Sequence, residues 1–159
     1  MGQLKAGEKV PDFSLPSQDG KEVRLSDLLR DKNVVLYFYP KDRSQGCTRQ
    51  ACAFRDAYEV FKDLGAEVVG ISGDGVDSHQ DFSTKFELPF VLLSDKGGKV
   101  RKLFGVGTTL GILPGRVTFI IDREGTIRHV FSSQARFTKH IEVALEILKG
   151  IVNEKSDAS

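Results

Sequence analysis

The sequence predicts a single α/β domain, and three observations carry that prediction. Two largely apolar, β-branched runs, Val34-Val35-Leu36-Tyr37-Phe38 and Glu67-Val68-Val69-Gly70-Ile71-Ser72, are each followed by a segment of helical periodicity. A later pair of strand-like runs is joined by the four-residue loop Asp122-Arg123-Glu124-Gly125 and leads into a last amphipathic helix. At 159 residues and 40% hydrophobic, the chain is long enough to bury roughly 70% of its unfolded surface in one core.

Taken in order, Phe13-Ser14-Leu15 and Lys21-Glu22-Val23-Arg24-Leu25 flank a turn at Gln18-Asp19-Gly20 and read as a β-hairpin. Ser26 is placed to cap a short helical turn through Leu29. The run Val34 to Phe38 is apolar on both faces, as a strand in the middle of a sheet must be. A helix is expected from about Cys47 to Leu64, stopped by Gly65. After the strand Glu67 to Ser72, Asp77 or Ser78 would cap a helix through Phe86, and Pro89 separates it from the strand Phe90 to Leu93. A short helix spans Lys99 to Phe104 before Gly105, and Leu110 to Gly115 reads as loop. Val117 to Ile121 and Thr126 to Phe131 form the second hairpin. The last helix, about Thr138 to Lys149, puts Ile141, Ala144, Leu145 and Leu148 on one face. Residues 1–150 are thus expected to be one domain and 151–159 a flexible polar tail. A βαβ unit joined to a ββα unit is the plan of a thioredoxin-like domain, here with an N-terminal β-hairpin added.

Composition removes several function classes. The 23 basic and 22 acidic side chains nearly cancel, and no basic run suggests a nucleic-acid track. The first residues are polar and lack the apolar core of a secretory signal, and no apolar run approaches membrane-spanning length. With two cysteines and no such signal, a soluble protein of a reducing compartment is expected, with a redox-active pair rather than a structural staple. The sequence has no internal repeat and no low-complexity segment.

Both cysteines lie where an apolar strand runs through a polar turn into a helix. A cysteine in the first turn of a helix meets unpaired backbone N–H groups and the positive end of the macrodipole, which favour an anion. An unperturbed thiol, with a pKa of ~8.5, is only about 3% thiolate at pH 7, so such a setting makes it a useful nucleophile. Arg43 and Arg49 flank Cys47 and are expected to add to that field. Cys52, at i+5, would stand ~8.7 Å away and about 140° round an intact helix. A disulfide needs less than about 6.8 Å between Cα atoms. If the two bond, the first turns must unwind, which suggests a disulfide that opens and closes. Cys47 aligns with Ala51, Phe54, Tyr58 and Phe61 on the apolar stripe, and Cys52 with Arg55, Asp56 and Glu59 on the polar side.

The pattern Pro40-x-x-x-Ser44-x-x-Cys47 resembles the Pro-x-x-x-Thr/Ser-x-x-Cys signature of peroxiredoxins. The stretch Gly46-Cys47-Thr48-Arg49-Gln50-Ala51-Cys52-Ala53-Phe54-Arg55-Asp56 is similar to that of the peroxiredoxin Q, or bacterioferritin comigratory protein, subfamily. The likeness runs from about Ala6 to Lys149 and includes Gly70-Ile71-Ser72, Leu88-Pro89-Phe90, Leu92-Leu93-Ser94-Asp95 and Leu113-Pro114-Gly115-Arg116-Val117-Thr118-Phe119. It implies a monomeric thiol peroxidase with Cys47 as peroxidatic and Cys52 as resolving cysteine, bonded in one chain and reduced by thioredoxin or a glutaredoxin. It implies the active-site arginine at Arg116, the hydroxyl at Ser44, a shaping proline at Pro40, and peroxide held by Gly46 and Cys47 N–H groups together with Ser44 and Arg116. The subfamily usually has proline where Gln45 stands, so one fixed φ is lost from the loop. Neither metal nor organic cofactor is called for. The likeness to plant and algal members points to a plastid once a transit peptide is removed, and otherwise to the cytoplasm.

Taken without that signature, a cysteine is commonly a small buried hydrophobe, an arginine on a loop a solvated charge and Ser44 a plain turn residue. His79, His129 and His140 are scattered without ligand spacing and read as surface residues, and Asp74, Asp77 and Asp81 as loop and helix-start charges. Gly105-Val106-Gly107-Thr108-Thr109-Leu110-Gly111 has one residue too many for a dinucleotide loop and follows a helix. Two rival functions stay open: thiol-disulfide exchange, which normally uses Cys-x-x-Cys, and a thioredoxin-fold redox sensor whose disulfide reports oxidation.

Overall fold

The computed structural model describes residues 2–109 and 113–158. In chain order the elements are β1 (Ser14–Pro16), β2 (Glu22–Arg24), α1 (Leu25–Leu29), β3 (Asn33–Phe38), α2 (Gln45–Asp56), α3 (Tyr58–Asp63), β4 (Ala66–Ser72), α4 (Val76–Phe86), β5 (Val91–Ser94), α5 (Lys99–Leu103), β6 (Thr108–Thr109), β7 (Leu113–Pro114), β8 (Val117–Ile121), β9 (Ile127–Ser132) and α6 (Lys139–Ala158). Five strands make the central sheet in the order β5-β4-β3-β8-β9. β3, β4 and β5 run parallel, and β8 and β9 join antiparallel on the other side of β3. This is the expected βαβ plus ββα plan, with β1 and β2 as the added hairpin.

Every residue of β3 is buried, because the strand is central and both faces are covered. Its alternation divides the core in two. Val35, Tyr37 and Tyr39 point to the face packed by α2, α4 and α6, among Cys47, Ala51, Phe54, Phe82, Ile141 and Leu148. Val34, Leu36 and Phe38 point to the opposite face, among Phe13, Leu25, Val100, Phe104 and Phe119.

Several local expectations are revised. The helix carrying the cysteines starts at Gln45 and breaks at Ala57, whose φ of −97° and ψ of 2° interrupt the turn, so α2 and α3 replace one long helix. Gly65 does stop α3, at φ 73°. Neither proposed hydroxyl or carboxylate cap forms: Arg24 occupies the N-cap of α1 and Gly75 that of α4. Instead Asp12, from upstream, accepts from both the backbone N–H and the hydroxyl of Ser26. Part of the expected loop at 110–115 is strand, since Leu113–Pro114 pairs with Thr108–Thr109, while 110–112 lie outside the described residues. The expected flexible tail at 151–159 is helix through Ala158, because Ile151 continues the buried stripe of α6 and Glu154 pairs with Arg128 of β9.

Candidate active site

β3 ends at Phe38, and residues 39–44 carry the chain across the carboxyl end of the parallel strands into α2. Cys47 is the third residue of that helix and is 1% exposed. The first intrahelical bond is donated by Thr48 N–H to the Ser44 carbonyl, so the N–H groups of Gln45, Gly46 and Cys47 have no acceptor among the described residues. Ser44 is the N-cap at φ −66° and ψ 151°, but its hydroxyl donates to the Lys41 carbonyl at 3.0 Å and makes no cap bond. Cys52 is half-buried further along the same unbroken helix, and both thiols are free, as the i+5 geometry requires.

The register of the sheet explains how Arg116 reaches this helix. Phe38, last in β3, pairs with Val117, first in β8, so the residue before Val117 emerges beside the turn that leads to Cys47. Arg116 is 5% exposed. Its Nη1 donates to Oε1 of Gln50 at 2.6 Å, its Nε donates to the Gln134 carbonyl at 3.2 Å, and its guanidinium carbon lies 5.0 Å from the centre of the Phe137 ring. A Cβ at Gly46 would stand 3.2 Å from Arg116 Nη2 and 2.5 Å from the Phe137 ring, so only glycine lets both approach the helix start this closely. Gly46, Cys47 and Arg116 are thereby gathered. Pro40 stands at the start of the loop and lines a cavity of about 220 Å³ with Tyr39, Ser72, Gly73 and Arg101, while Arg116 lines another of about 410 Å³ with Gly107, Val117 and Gln134.

Both flanking arginines are exposed. Arg43, at φ 65°, turns to Asp81 of α4, 3.3 Å away. Arg116 is the buried cation at the helix start. Gln50, Gln134 and Phe137 were not singled out from the sequence. Gln50 was within reach, being one helical turn beyond Cys47 on the same face; Phe137 carried no signal.

Two histidines read as surface residues are fully buried. His79, 0% exposed, has Nε2 2.9 Å from the Leu93 carbonyl and Nδ1 2.7 Å from Oδ2 of Asp42. Asp42 sits inside the loop before Cys47 and also accepts from the hydroxyls of Tyr39 at 2.6 Å and Ser78 at 2.8 Å. Its own N–H donates to Asp74, which Ser72 also binds, so Asp74 is part of this network rather than a solvated charge. Donor atoms of Asp42, Asp74 and His79 lie within 4.8 Å of one another. Those atoms are already engaged by one another and by the neighbouring hydroxyls and N–H groups, and the cluster acts as a scaffold for the loop. His140 is likewise 0% exposed.

Two buried polar atoms lack a partner among the described residues: the Tyr37 hydroxyl and Nε2 of Gln50. Burial first, and then the charges of Cys47 and Asp42, hold the Tyr37 phenol well above its usual range, so it stays protonated.

The chain is similar to proteins of known family and structure. The AhpC/TSA family matches residues 6–130. Peroxiredoxin Q, chloroplastic, from Oryza sativa subsp. japonica is 50% identical over 151 residues, which is 94% of this chain and 69% of that one. The crystal structure of peroxidoxin BcpB from Mycobacterium tuberculosis superposes with a TM-score of 0.88 at 41% identity, covering 94% of this chain and 99% of that one. The bacterioferritin comigratory protein of Xanthomonas campestris, solved in a study of its alkyl peroxide reduction activity, gives 0.80 at 29% identity, covering 88% and 92%.

Proposed function

The chain belongs to the AhpC/TSA family as a peroxiredoxin of the Q type, a thiol-dependent peroxidase, and on that premise we propose that Cys47 is the peroxidatic and Cys52 the resolving cysteine. One observation carries the assignment: a buried cysteine at an N-terminus with unpaired N–H groups, against which the fold presses a buried guanidinium from a distant strand. The thiolate sulfur of Cys47 attacks one oxygen of the peroxide, the O–O bond breaks, and the other oxygen leaves as water or alcohol after taking a proton. Cys47 is left as sulfenic acid.

Arg116 and the N–H groups of Gly46 and Cys47 meet the negative charge passing from sulfur to the leaving oxygen, and the Ser44 hydroxyl adds a donor once it turns from the Lys41 carbonyl. Holding these groups beforehand orients the peroxide in line with the sulfur. Pro40 shapes the approach. The Cys52 sulfur then attacks the sulfenic sulfur, water leaves, and the disulfide forms after the start of α2 unwinds. A dithiol protein of thioredoxin type returns both thiols by exchange, thioredoxin itself or a glutaredoxin filling that role. The alkyl peroxide activity studied in the X. campestris protein supports organic hydroperoxides as substrates beside hydrogen peroxide. The chloroplastic relatives support the plastid as its location if the source is plant or alga, and the cytoplasm otherwise, and the family resemblance implies a monomer; among the described residues no helix is long and apolar enough to cross a membrane.

The test is peroxide-dependent oxidation of NADPH with thioredoxin and thioredoxin reductase. Cys47→Ser is expected to abolish turnover, while Cys52→Ser consumes one equivalent of peroxide and then fails to cycle. Stoichiometric oxidation of the wild type without turnover would favour the redox-sensor reading, and turnover by Cys47→Ser would remove the assignment altogether.

A further inference from the structure

We propose that His140 is a positioning residue for Arg116, tying Thr118 of β8 to the Ser133 carbonyl and so fixing the connection that holds the guanidinium against α2. The proposal rests on the reading that Arg116 acts on the peroxide.

The hydrogen bonds define the state of the ring. Nε2 lies 2.9 Å from the Ser133 carbonyl, which only accepts, so Nε2 carries the proton. Nδ1 then accepts from the Thr118 hydroxyl at 2.7 Å, and both nitrogens of a neutral imidazole are used. The ring also meets Phe131 edge to face, with centroids 4.7 Å apart. Three elements therefore converge on one buried side chain: β8, the end of β9 and the start of α6. Burial, and then the charge of Arg116, hold the imidazole neutral down to about pH 4, which keeps a second cation away from the guanidinium.

The connection so fixed, residues 133–138, carries most of what holds Arg116. Ser133 N–H donates to the Arg116 carbonyl at 3.2 Å, the Gln134 carbonyl accepts from Nε, and Phe137 lies under the guanidinium and against Gly46. Among the described residues the other side-chain partner is Gln50. Without the His140 tie, Arg116 keeps Gln50 but loses the fixed position of its remaining supports. Arg116 stands just before β8 and Thr118 is its second residue, so one clamp serves the strand and the residue it delivers.

The experiment uses steady-state kinetics, which separate kcat/KM for peroxide, where Arg116 acts, from kcat/KM for thioredoxin, where it does not. Thr118→Val keeps the shape and removes the hydroxyl, His140→Leu removes both bonds, and His140→Gln keeps an N–H donor for Ser133. We expect Thr118→Val and His140→Leu to lower kcat/KM for peroxide by about tenfold or more, as displaced catalytic groups do, with the thioredoxin constant unchanged and His140→Gln partly restored. In an Arg116→Ala background Thr118→Val should add less than about twofold, because two changes acting through one group are not additive. Equal losses in both backgrounds, or a fall in both kinetic constants together, would overturn the proposal. If Arg116→Ala alone leaves the peroxide constant intact, the fault lies in the role given to Arg116; if it lowers that constant while Thr118→Val does not, the fault lies with His140.

Discussion

Replacing Gln45 by proline tests whether the start of α2 must unwind for the two cysteines to meet. Gln45 is the first residue of the helix and is exposed. Its N–H has no acceptor among the described residues, so proline removes no bond there. The residue before a proline is driven to extended backbone, and Ser44 already stands at φ −66° and ψ 151°. The ring therefore fits the folded helix and restricts the unwound one, which at a compatible site stabilises the folded form by about 0.4–1 kcal/mol. The same free energy opposes unwinding, so disulfide formation should slow roughly two- to fivefold. Rapid quenching after a single pulse of peroxide, with Cys47–Cys52 disulfide and Cys47 sulfinic acid measured by mass spectrometry, reads the effect directly. The first oxidation should be unchanged, because it uses the folded helix, while the longer-lived sulfenic acid gives more sulfinic acid at high peroxide. A stabilised variant that closes its disulfide at the wild-type rate would show that this turn does not limit resolution. A destabilised one would show that the helix start is not as described.

Three further outcomes follow from other contacts. Tyr37→Phe removes a buried hydroxyl with no partner among the described residues and should raise stability by about 1–2 kcal/mol, read as a higher urea midpoint; a lower midpoint would mean the hydroxyl is bonded. Gly46→Ala places a methyl where the Phe137 ring lies, so peroxide turnover should fall although helix propensity rises by up to about 1 kcal/mol; unchanged turnover would separate Phe137 from the site. His140 has a folded pKa of about 4 against 6.5 unfolded, so the unfolded chain takes up a proton first on acidification. Its contribution is complete above pH 6.5 and is lost as pH falls towards 4, by up to about 3 kcal/mol. His140→Gln should flatten that part of the stability curve, and an unaltered slope between pH 6.5 and 4 would contradict the buried neutral ring.

What was legible in the sequence was local. The apolar run of β3, the helix opening near Cys47 and the glycine stop at Gly65 all depend on neighbours within a few residues, and each is found within a short shift of its expected place. The i+5 spacing of the cysteines similarly fixed their separation before any fold was known. The burial of His79 and His140 was not legible, because Asp42 and Thr118, the partners that make burial tolerable, come from a loop and a strand distant in sequence. Neither histidine has a local signal that distinguishes it from a surface residue. The end of α6 is a different case. Ile151 continues the stripe of Ala144 and Leu148 at helical spacing, and the polar composition after it hid a periodicity that was present.

The placement of hydrogen bonds divides the site into a fixed part and a part free to move. The loop before Cys47 is held by Asp42, whose carboxylate accepts from Tyr39 and Ser78 and pairs with His79, and whose N–H donates to Asp74. Arg116 is held by Gln50 and by the connection after β9. These buried networks lie outside the first turn of α2, and that turn has no side-chain cap, which elsewhere is worth about 1 kcal/mol. Beyond Ala57 the chain starts a new helix, so unwinding of α2 need not spread into α3. On the proposed mechanism, attack on peroxide uses Arg116 and the N–H groups of Gly46 and Cys47 as they stand, whereas disulfide formation requires Cys47 and Cys52 to leave their helical separation. A helix with an uncapped start, set between two hydrogen-bonded supports, meets both requirements, because its first turn is held by packing at Gly46 and Cys47 and by intrahelical bonds, with no side-chain cap to release. On that proposal, the rate of resolution is expected to follow the opening of α2, and the rate of oxidation the frame around it.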